Sequence, residues 1–407
     1  MFPWAQPVAF VNARVLTNGG TAPSLRFGAR ILSIGEAPRR GDTVVDLGGA
    51  FVLPGLVNAH EHLELNHYGP LKRRDRYDNA TAWIEDLRPA LQHDPAIRTG
   101  RSHPLAARLF IGALKNLLAG VTTVAHHNPL YREIGRSFPV RVLRRYGWAH
   151  SFTLERQPVG ARGEPGGDVR DRCLSTPPDV PFMLHAAEGV DDAAAGEVAR
   201  LDALGCLRAN TVVVHGIAMT SAEWHRMLAR GASLVWCPAS NVFLFGSTAN
   251  VRAHLDASGQ AWRHICLGSD SRISGSRDLL DELRVAAASG IAAAELLRMV
   301  TEAPAAILKL ADAGRIAVGR AADLLVLPPR DLTAADALVA ASRRDVALVT
   351  MGGRPVLGSP SLSAVFVARR ITAQPVSVDG AERLVSCRLA RAIARCPIAE
   401  PGVECLS

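Results

Sequence analysis

The stretch Phe51-Val52-Leu53-Pro54-Gly55-Leu56-Val57-Asn58-Ala59-His60-Glu61-His62 is an apolar run that ends in two histidines separated by one residue. A short continuous apolar run is typical of a buried strand. Side chains at i and i+2 of a strand point the same way, so both imidazoles can converge on one point. The pair is therefore a candidate metal-ligand arrangement, although a single His-x-His also occurs by chance.

Further apolar strands alternate with helical stretches along the middle of the chain. Hydrophobic patterning predicts strands at 51–57, 121–125, 148–154, 181–184, 211–214, 233–236 and 264–267. It predicts helices at 105–118, 193–204, 221–229, 279–288 and 292–300. This alternation indicates an α/β fold with parallel strands, and at 407 residues a closed barrel is favoured over an open sheet. No dinucleotide-type Gly-rich turn follows the first strand, which argues against a Rossmann fold.

The two ends of the chain have a different pattern, because they contain short β-like pieces separated by Gly, Asn and Pro. Neither end offers enough strand for a stable sheet of its own. We therefore expect residues 1–53 and 315–369 to combine into one small β domain beside a barrel domain over 54–314. A C-terminal extension over 370–407, with one helix at 380–395, is expected to follow.

The composition describes an ordinary globular protein, with 48% hydrophobic and 21% charged residues. The seven cysteines are scattered without a CxxC pair, which favours a reducing compartment. The sequence contains no secretory leader pattern and no apolar run long enough for a membrane span, so we expect a soluble cytoplasmic protein without membrane partners. The net charge of +8 comes from dispersed arginines, and nucleic-acid binding is not predicted.

More histidines and acidic residues stand directly after predicted strands. These strand ends carry His185 with Glu188 three residues later, His215, and Asp270. Barrel enzymes place catalytic residues at the C-terminal ends of their strands. Each of these residues alone could be a core histidine or a capping aspartate. Together with the first histidine pair, however, imidazoles and one carboxylate suit a metal such as zinc that keeps a position for water.

Several short segments match the motifs of one enzyme family. They are 54–62, Gly120-Val121-Thr122-Thr123-Val124, His185-Ala186-Ala187-Glu188, Val214-His215-Gly216, Cys237-Pro238-Ala239-Ser240-Asn241, Leu267-Gly268-Ser269-Asp270, and 314–319 with Ala322-Asp323-Leu324. On these segments the chain, from about Phe10 to Leu357, resembles the metal-dependent amidohydrolase superfamily in its deaminase and chlorohydrolase-like branch. The resemblance implies a distorted (β/α)8 TIM-type barrel with a small β-sandwich built from both chain ends.

The resemblance also implies roles for the strand-end residues. One divalent metal, zinc before iron or manganese, would be held by His60, His62, His185 and Asp270. Glu188 would be the proton shuttle, His215 would lie near the attacked atom or its water, and Asp270 would also accept the proton of that water. A second metal is not expected, because the predicted strand at 146–154 lacks the bridging lysine of two-metal relatives. Glu155 could bridge a second ion in principle, but an isolated glutamate is usually solvated.

These roles imply hydrolytic deamination of a cyclic amidine or aminated heterocycle with release of ammonia. Hydrolysis of a cyclic or linear amide is the alternative reaction. A catalytically inert barrel scaffold is a third reading, against which the complete ligand set argues. The implied partner is a small molecule, a nitrogen heterocycle, and family members often form homodimers.

Candidate substrate contacts are less specific. His126 and His127 follow the predicted strand at 121–125, and as neighbours in a strand only one of them should face the pocket. The basic and aromatic segment 68–77, with Trp83 beyond it, should lie over the barrel mouth. Arg73, Arg76 or Arg272 could hold an anionic group of the substrate, although a solvated loop anchored by Trp83 explains the segment equally well.

Overall fold

The computed structural model describes residues 5–135, 138–153, 168–257 and 261–406. The strands are β1 Val8–Val11, β2 Arg14–Thr17, β3 Gly20–Ala22, β4 Leu25–Phe27, β5 Ile31–Ile34, β6 Thr43–Asp46, β7 Phe51–Pro54, β8 Leu56–Glu61, β9 Val121–His126, β10 Arg141–Val142, β11 Gly147–Ala149, β12 Phe182–Ala186, β13 Thr211–His215, β14 Ser233–Trp236, β15 Ile265–Leu267, β16 Leu324–Leu327, β17 Leu348–Met351, β18 Arg354–Gly358, β19 Ala373–Val378, β20 Ala381–Ser386 and β21 Val403–Cys405.

The helices lie mainly between the parallel strands. They are α1 Ala80–His93, α2 Pro95–Ser102, α3 Leu105–Leu118, α4 Val169–Ser175, α5 Asp192–Ala195, α6 Glu197–Ala203, α7 Ser221–Ala229, α8 Pro238–Phe245, α9 Val251–Ala257, α10 Leu279–Ala288, α11 Ala293–Met299, α12 Glu302–Ile307, α13 Ala334–Val339, α14 Ser363–Ala368 and α15 Cys387–Arg395. The predicted helices at 105–118, 221–229 and 279–288 have these bounds in the structure. The helix predicted at 193–204 is divided into α5 and α6.

Two parallel sheets carry the strand ends that the sequence singled out. Strands β8, β9 and β10 form a three-stranded sheet, and β11 to β15 form a five-stranded sheet in sequence order. A parallel bridge between Glu61 and Asp270 joins the end of β8 to the segment after β15. Over the described residues the strands pair as these two sheets and not as one continuous closed sheet. The α/β class with parallel strands is thus observed, whereas the expected closure of the barrel is not.

The two chain ends form two mixed sheets in which most strand pairs are antiparallel. One sheet has the order β5-β4-β1-β6, and a nine-stranded sheet has the order β21-β19-β20-β18-β17-β16-β7-β2-β3. Within the larger sheet, β7 from the first end pairs with β16 from the second. A buried cluster that includes Phe10, Phe27, Leu324 and Phe366 joins residues far apart in sequence. Burial of such apolar surface is the main force that holds the two ends together.

The helix predicted over 380–395 is wrong in its first half. Residues Ala381–Ser386 form β20, which pairs antiparallel with β19, and α15 begins only at Cys387. In β20, the buried residues Arg383 and Val385 alternate with more exposed neighbours, which is the period of two expected of a strand. β19 and β20 form a hairpin, and this strand pairing outweighs the local helical pattern.

None of the helices in the described ranges is long and apolar enough to cross a membrane.

Candidate active site

The C-terminal ends of β8, β12, β13 and β15 surround one point. His60 lies at the end of β8 and His62 directly after it, His185 lies in β12, and His215 ends β13, while Asp270 follows β15. The ligand atoms of His60, His62 and Asp270 lie within 4.8 Å of one another, as do those of His60, His185 and His215. The structure therefore brings together the ligand set and the histidine that the sequence predicts.

The backbone at these strand ends adopts conformations that L residues rarely take. The φ angles are 52° at Ala187, 77° at His215 and 53° at Asp270. Residues with positive φ cost free energy and cluster at functional sites. Gly268 allows the close approach of two strands here, because a Cβ atom at this position would lie 2.6 Å from His60 Cβ. Positions 268 and 270 thus serve the convergence of β15 on β8.

The Nε2 atoms at the centre of the cluster lie close to one another and to one oxygen of Asp270. His62 Nε2 lies 3.4 Å from His185 Nε2. Asp270 Oδ1 lies 3.7 Å from His60 Nε2 and 3.6 Å from His62 Nε2. His60 Nε2 is fully buried and has no hydrogen-bond partner among the residues that the structure describes. An unpaired buried polar atom is costly unless a ligand satisfies it, so this atom indicates a bound group.

Hydrogen bonds at the opposite ring nitrogens set the tautomer of His60. His127 Nε2 lies 2.8 Å from the carbonyl oxygen of Ala149, to which it can only donate. His127 Nδ1 is then an acceptor, and it lies 3.2 Å from His60 Nδ1. His60 therefore carries its proton on Nδ1 and presents a lone pair at Nε2. This outer hydrogen bond is the arrangement that orients metal-ligating histidines.

The other imidazoles are oriented in the same way. His185 Nδ1 donates to the carbonyl oxygen of His150 at 2.8 Å, and His215 Nδ1 donates to Asn241 Oδ1 at 2.7 Å. Both rings therefore direct the Nε2 lone pair towards the cluster. His62 is the exception, because its Nδ1 accepts a hydrogen bond from Asn128 Nδ2 at 3.2 Å and a neutral ring then carries its proton on Nε2, which a metal at that atom would replace. Each ring is thus held by a hydrogen bond on its outer side.

The charge states suit a cation. Burial lowers the pKa of His60, His62 and His185, and the neighbouring imidazoles lower those of His62 and His185 further. Burial opposes ionisation of Asp270, but its interactions with His60, His62 and His215 outweigh burial and hold its pKa well below the usual value. Neutral imidazoles and an ionised carboxylate are the forms that bind metal.

Two hydroxyl groups fix the remaining oxygen of Asp270. Ser240 Oγ donates to Asp270 Oδ2 at 2.8 Å, and Ser274 Oγ donates to the same oxygen at 2.7 Å. Oδ1 is left to face His60 and His62. The residues present therefore fit one divalent cation with nitrogen and oxygen ligands, which is the donor set of zinc and of non-haem iron.

Glu188 lies beside this cluster. Its Oε1 is 3.5 Å from His215 Nε2, and its side chain is only 12% exposed. Burial raises the pKa of Glu188 to about 7, while His215 opposes the rise. A carboxyl group with this pKa can give and take a proton near neutral pH.

A cavity of about 430 Å³ opens from the cluster and is lined by His62, His185, Glu188, His215 and Asp270. Its other walls are mostly apolar and aromatic, with Trp83, Ile84, Leu87 and Ile273 among them. This size and lining are usual for a small-molecule site. The cavity includes Trp83, as the sequence predicts.

The other three predicted substrate contacts are not among the residues that line this cavity. His127 bonds to His60 behind the cluster, and His126 is fully buried with Nε2 3.8 Å from Glu64 Oε2. The guanidinium of Arg272 is held by Glu400, with Nη1 2.9 Å from Oε2 and Nη2 2.5 Å from Oε1. These placements correct the expected substrate roles of all three residues.

The whole sequence contains only three lysines, Lys72, Lys115 and Lys309. Lys115 is fully buried and donates to Asn66 Oδ1 at 2.6 Å, while Lys72 donates to the carbonyl oxygens of Asp75 and Phe243. Lys309 is exposed, directly after the buried Leu308. None of these three lysines lines the cavity, so none of them is placed to bridge two metal ions there. Glu155, the other candidate bridge, lies outside the described residues.

A buried polar network around Glu61 lies behind β8 and was not predicted from the sequence. Glu61 Oε2 lies 3.0 Å from Lys115 Nζ, and both side chains are fully buried. Glu61 also accepts hydrogen bonds from Asn66, Asn116 and Ser269. The lone lysine in the apolar stretch 105–118 was the available signal, because a buried lysine requires a partner.

Comparison with known proteins places the chain among characterised enzymes. Residues 179–356 match the model of the amidohydrolase family. A 5-methylthioadenosine/S-adenosylhomocysteine deaminase of Halobacterium salinarum is 30% identical over 357 residues, which cover 74% of this chain and 78% of the relative. A deaminase of the same name from Nitratidesulfovibrio vulgaris strain DP4 is 25% identical over 74% of this chain and 77% of the relative.

Solved structures resemble the whole fold. Atrazine chlorohydrolase from Arthrobacter aurescens TC1 complexed with zinc superposes with a TM-score of 0.68 at 20% identity, covering 89% of this chain and 99% of the other. An adenosine deaminase from Xanthomonas campestris with bound zinc gives a TM-score of 0.65 at 19% identity, covering 90% and 98%. At these identities the likeness concerns the fold.

Proposed function

We propose that this chain, which belongs to the amidohydrolase family, is a metal-dependent hydrolase that deaminates a 6-aminopurine nucleoside at a single-metal site. The observation that carries the proposal is the position of Glu188, a buried carboxyl group, in one cavity with the His and Asp cluster. The names of the relatives, which are deaminases of adenosine derivatives, supply the substrate class. We further propose that the two parallel sheets belong to a distorted (β/α)8 barrel.

His60, His62, His185 and Asp270 would hold the metal, with zinc the proposed ion. When bound, a divalent ion supplies Lewis acidity and makes water a better nucleophile at neutral pH. The imidazoles act as neutral donors whose orientation is fixed by His127, Asn128 and the carbonyl oxygen of His150. Since these outer contacts are formed in the folded chain, the ligand side chains need little reorganisation to bind.

Asp270 would accept a proton from the attacking water. Ser240 and Ser274 hold its Oδ2, so the free Oδ1 keeps one orientation towards the cluster. Its low pKa means that it is ionised and ready to accept. Hydrolytic attack at an aromatic carbon requires removal of this proton before ammonia can leave.

Glu188 would protonate a ring nitrogen next to the attacked carbon. With a pKa of about 7 it holds a proton in a large fraction of molecules at neutral pH. His215 lies 3.5 Å from Glu188 and presents Nε2 to the cavity because Asn241 accepts the proton of Nδ1. It would orient Glu188 and contact the oxygen that enters the substrate.

The walls of the cavity suit a flat heterocycle. Trp83, Ile84, Leu87 and Ile273 offer apolar and aromatic surface, and the indole Nε1 of Trp83 donates to the carbonyl oxygen of Leu71 at 3.1 Å. Aromatic side chains stack favourably on planar rings. A purine would therefore bury its faces against this wall while its amino carbon faces the cluster.

The test is ammonia release from a panel of compounds by the zinc-loaded protein. The panel contains adenosine, 5′-methylthioadenosine, cytosine, guanine, a triazine and two amides. The proposal expects turnover of an adenosine derivative with kcat/KM at least about 10³-fold above that of the amides. Turnover of amides alone would favour the alternative amide hydrolysis. No turnover together with no bound metal would favour an inert scaffold.

A further inference from the structure

One part of the active-site cavity carries positive charge that none of the described carboxylates balances. Tyr68, Arg101 and Arg108 line the same cavity as Glu188 and the metal-ligand candidates. Arg108 lies in the first turn of α3, which is a well-packed helix, and Arg101 lies in α2. Across the described ranges, neither arginine forms an ion pair, whereas many other arginines of the chain do.

The guanidinium of Arg108 is incompletely satisfied. Its Nε atom is buried and has no hydrogen-bond partner in the described part of the chain. Arg101 makes one contact, from Nη1 to the carbonyl oxygen of Leu91 at 3.2 Å. A buried donor of a charged group that remains unpaired costs free energy, which an anionic ligand would recover.

Both arginines act on the same neighbour. Burial raises the pKa of Tyr68, and the charges of Arg108 and Arg101 oppose this rise. Burial and, to a smaller extent, the charge of Arg108 lower the pKa of His67 to about 4. His67 therefore adds no positive charge near pH 7. The two guanidinium groups therefore share one region around Tyr68, where their mutual repulsion is not relieved by a neighbouring acid.

Three other arginines near this region, Arg74, Arg76 and Arg272, lie beside acidic residues. Arg74 lies 3.3 Å from Asp86, and Arg76 lies 3.8 Å from Asp75. Arg272 is bound on both sides of its guanidinium by Glu400. Neither these arginines nor Arg73 line the cavity, so an anionic group on the substrate, which the sequence assigned to Arg73, Arg76 or Arg272, would meet a different pair of arginines there.

We propose that Arg108, with Arg101 and the Tyr68 hydroxyl, forms a subsite for an oxyanion group, a carboxylate or a phosphate, on the substrate. This inference rests on the proposed function for the identity of the heterocycle. The apolar wall at Trp83, Ile84 and Leu87 would contact the uncharged part of the same molecule. Guanidinium groups bind carboxylate and phosphate through paired hydrogen bonds, which a neutral substrate cannot use.

The experiment compares substrates that share a 6-aminopurine and differ in the attached group. Adenosine and 5′-methylthioadenosine are neutral, adenosine-5′-carboxylic acid and S-adenosylhomocysteine carry a carboxylate, and adenosine 5′-monophosphate carries a phosphate. The native protein should prefer at least one anionic member, and the Arg108→Met variant should lose roughly 10- to 100-fold in kcat/KM for that member with little change for adenosine. The best anionic substrate then identifies carboxylate or phosphate.

Arg98→Met is the matched control, because Arg98 lies exposed in α2 and outside the cavity lining. It should leave the preference for anionic substrates unchanged. Preference for neutral substrates throughout, or an equal loss for neutral and anionic substrates in Arg108→Met, would overturn the subsite.

A binding measurement separates this inference from the proposed function. If no aminopurine releases ammonia, the proposed function fails, and titration calorimetry with inorganic phosphate still tests the arginines. Weaker phosphate binding to Arg108→Met than to Arg98→Met supports the oxyanion subsite. Equal binding to both variants contradicts it.

Discussion

The two sides of strand β8 treat polar side chains in opposite ways. On one side, His60 and His62 present ring nitrogens to Asp270 and His185, and His60 Nε2 has no partner. On the other side, Glu61 is fully buried, pairs with Lys115 and accepts hydrogen bonds from four further side chains of the described residues. His60 and Glu61 are equally buried, so they differ in whether their polar atoms have hydrogen-bond partners.

This contrast separates a ligand site from the structure that positions it. A buried polar group without a partner points to a group that binds there, whereas a completed network specifies geometry. The network also reaches the loop of Asp270, because Asn58 Oδ1 accepts the backbone N–H of Ser269 at 3.1 Å. Glu61 and its partners therefore fix the distance between β8 and the carboxylate of Asp270, which is a proposed metal ligand.

The largest effect is expected on the unsatisfied side. Asp270→Asn removes the one carboxylate of the cluster, and we expect kcat to fall by more than about 10³-fold with loss of bound metal. Asp312→Asn, an exposed aspartate paired with Arg30, is the control and should retain both. Ammonia release and elemental analysis measure the two properties. Full activity of Asp270→Asn would remove the basis of the comparison.

Glu188→Gln should separate chemistry from metal binding. The amide keeps the shape of Glu188 but cannot transfer a proton, so kcat should fall by about 10²- to 10⁴-fold while metal content stays at the native level. Glu382→Gln, at an exposed position on β20 and outside the cavity lining, is the matched control. If Glu188→Gln loses its metal, the residue acts as a ligand and the assigned proton transfer is wrong.

On the satisfied side, Lys115→Met should act mainly on stability. It leaves the Glu61 carboxylate buried without its cation, which costs about 3–5 kcal/mol in free energy of unfolding. Denaturant unfolding measures this loss, and Lys309→Met at an exposed lysine should change stability little. The double variant Glu61→Gln with Lys115→Met should recover part of the loss. A change below about 1 kcal/mol for Lys115→Met would show that the pair does not hold the network.

Glu282 sharpens the comparison, because it is a fully buried carboxyl group that lies outside the cavity lining. Burial raises its pKa to about 7, while its Oε1 accepts the backbone N–H of Ala239. The folded chain then keeps a proton that the unfolded chain releases above about pH 4.5. The associated stabilisation is fully present below pH 4.5 and is lost as the pH rises through about 7.

Comparing the native protein with Glu282→Gln tests this sign. The native protein should lose up to about 3 kcal/mol of unfolding free energy relative to the variant between pH 4.5 and 8. Denaturant unfolding at several pH values, with Glu85→Gln alongside, provides the measurement. A difference that stays constant with pH would contradict the raised pKa.

The sequence predicts much of the site because its signals are local. His60, His62, His185, His215 and Asp270 each stand at the end of an apolar run, and parallel strands place such ends together. The family resemblance then supplies the roles. The bounds of β14, α3, α7 and α10 also follow from periodicity alone, since their apolar residues face a single core.

The remaining features depend on contacts between residues far apart in the chain. Glu400 approaches Arg272 across 128 positions, and Lys115 lies 54 positions after Glu61. No local pattern reveals such pairing, so Arg272 was assigned to the substrate and Lys115 to no role. β20 was mistaken for a helix although the Asp379-Gly380 pair between β19 and β20 is a typical two-residue hairpin turn. Only its other pairing, with β18, depends on residues more distant in the chain.

The central claim is one metal ion per chain at the unsatisfied side of β8, required for ammonia release. Protein stripped of metal by a chelator is titrated with zinc while ammonia release from an active adenosine derivative is followed. The account predicts that activity returns linearly and stops rising at one zinc per chain. A break at two zinc ions per chain, or activity that persists without metal, would contradict it.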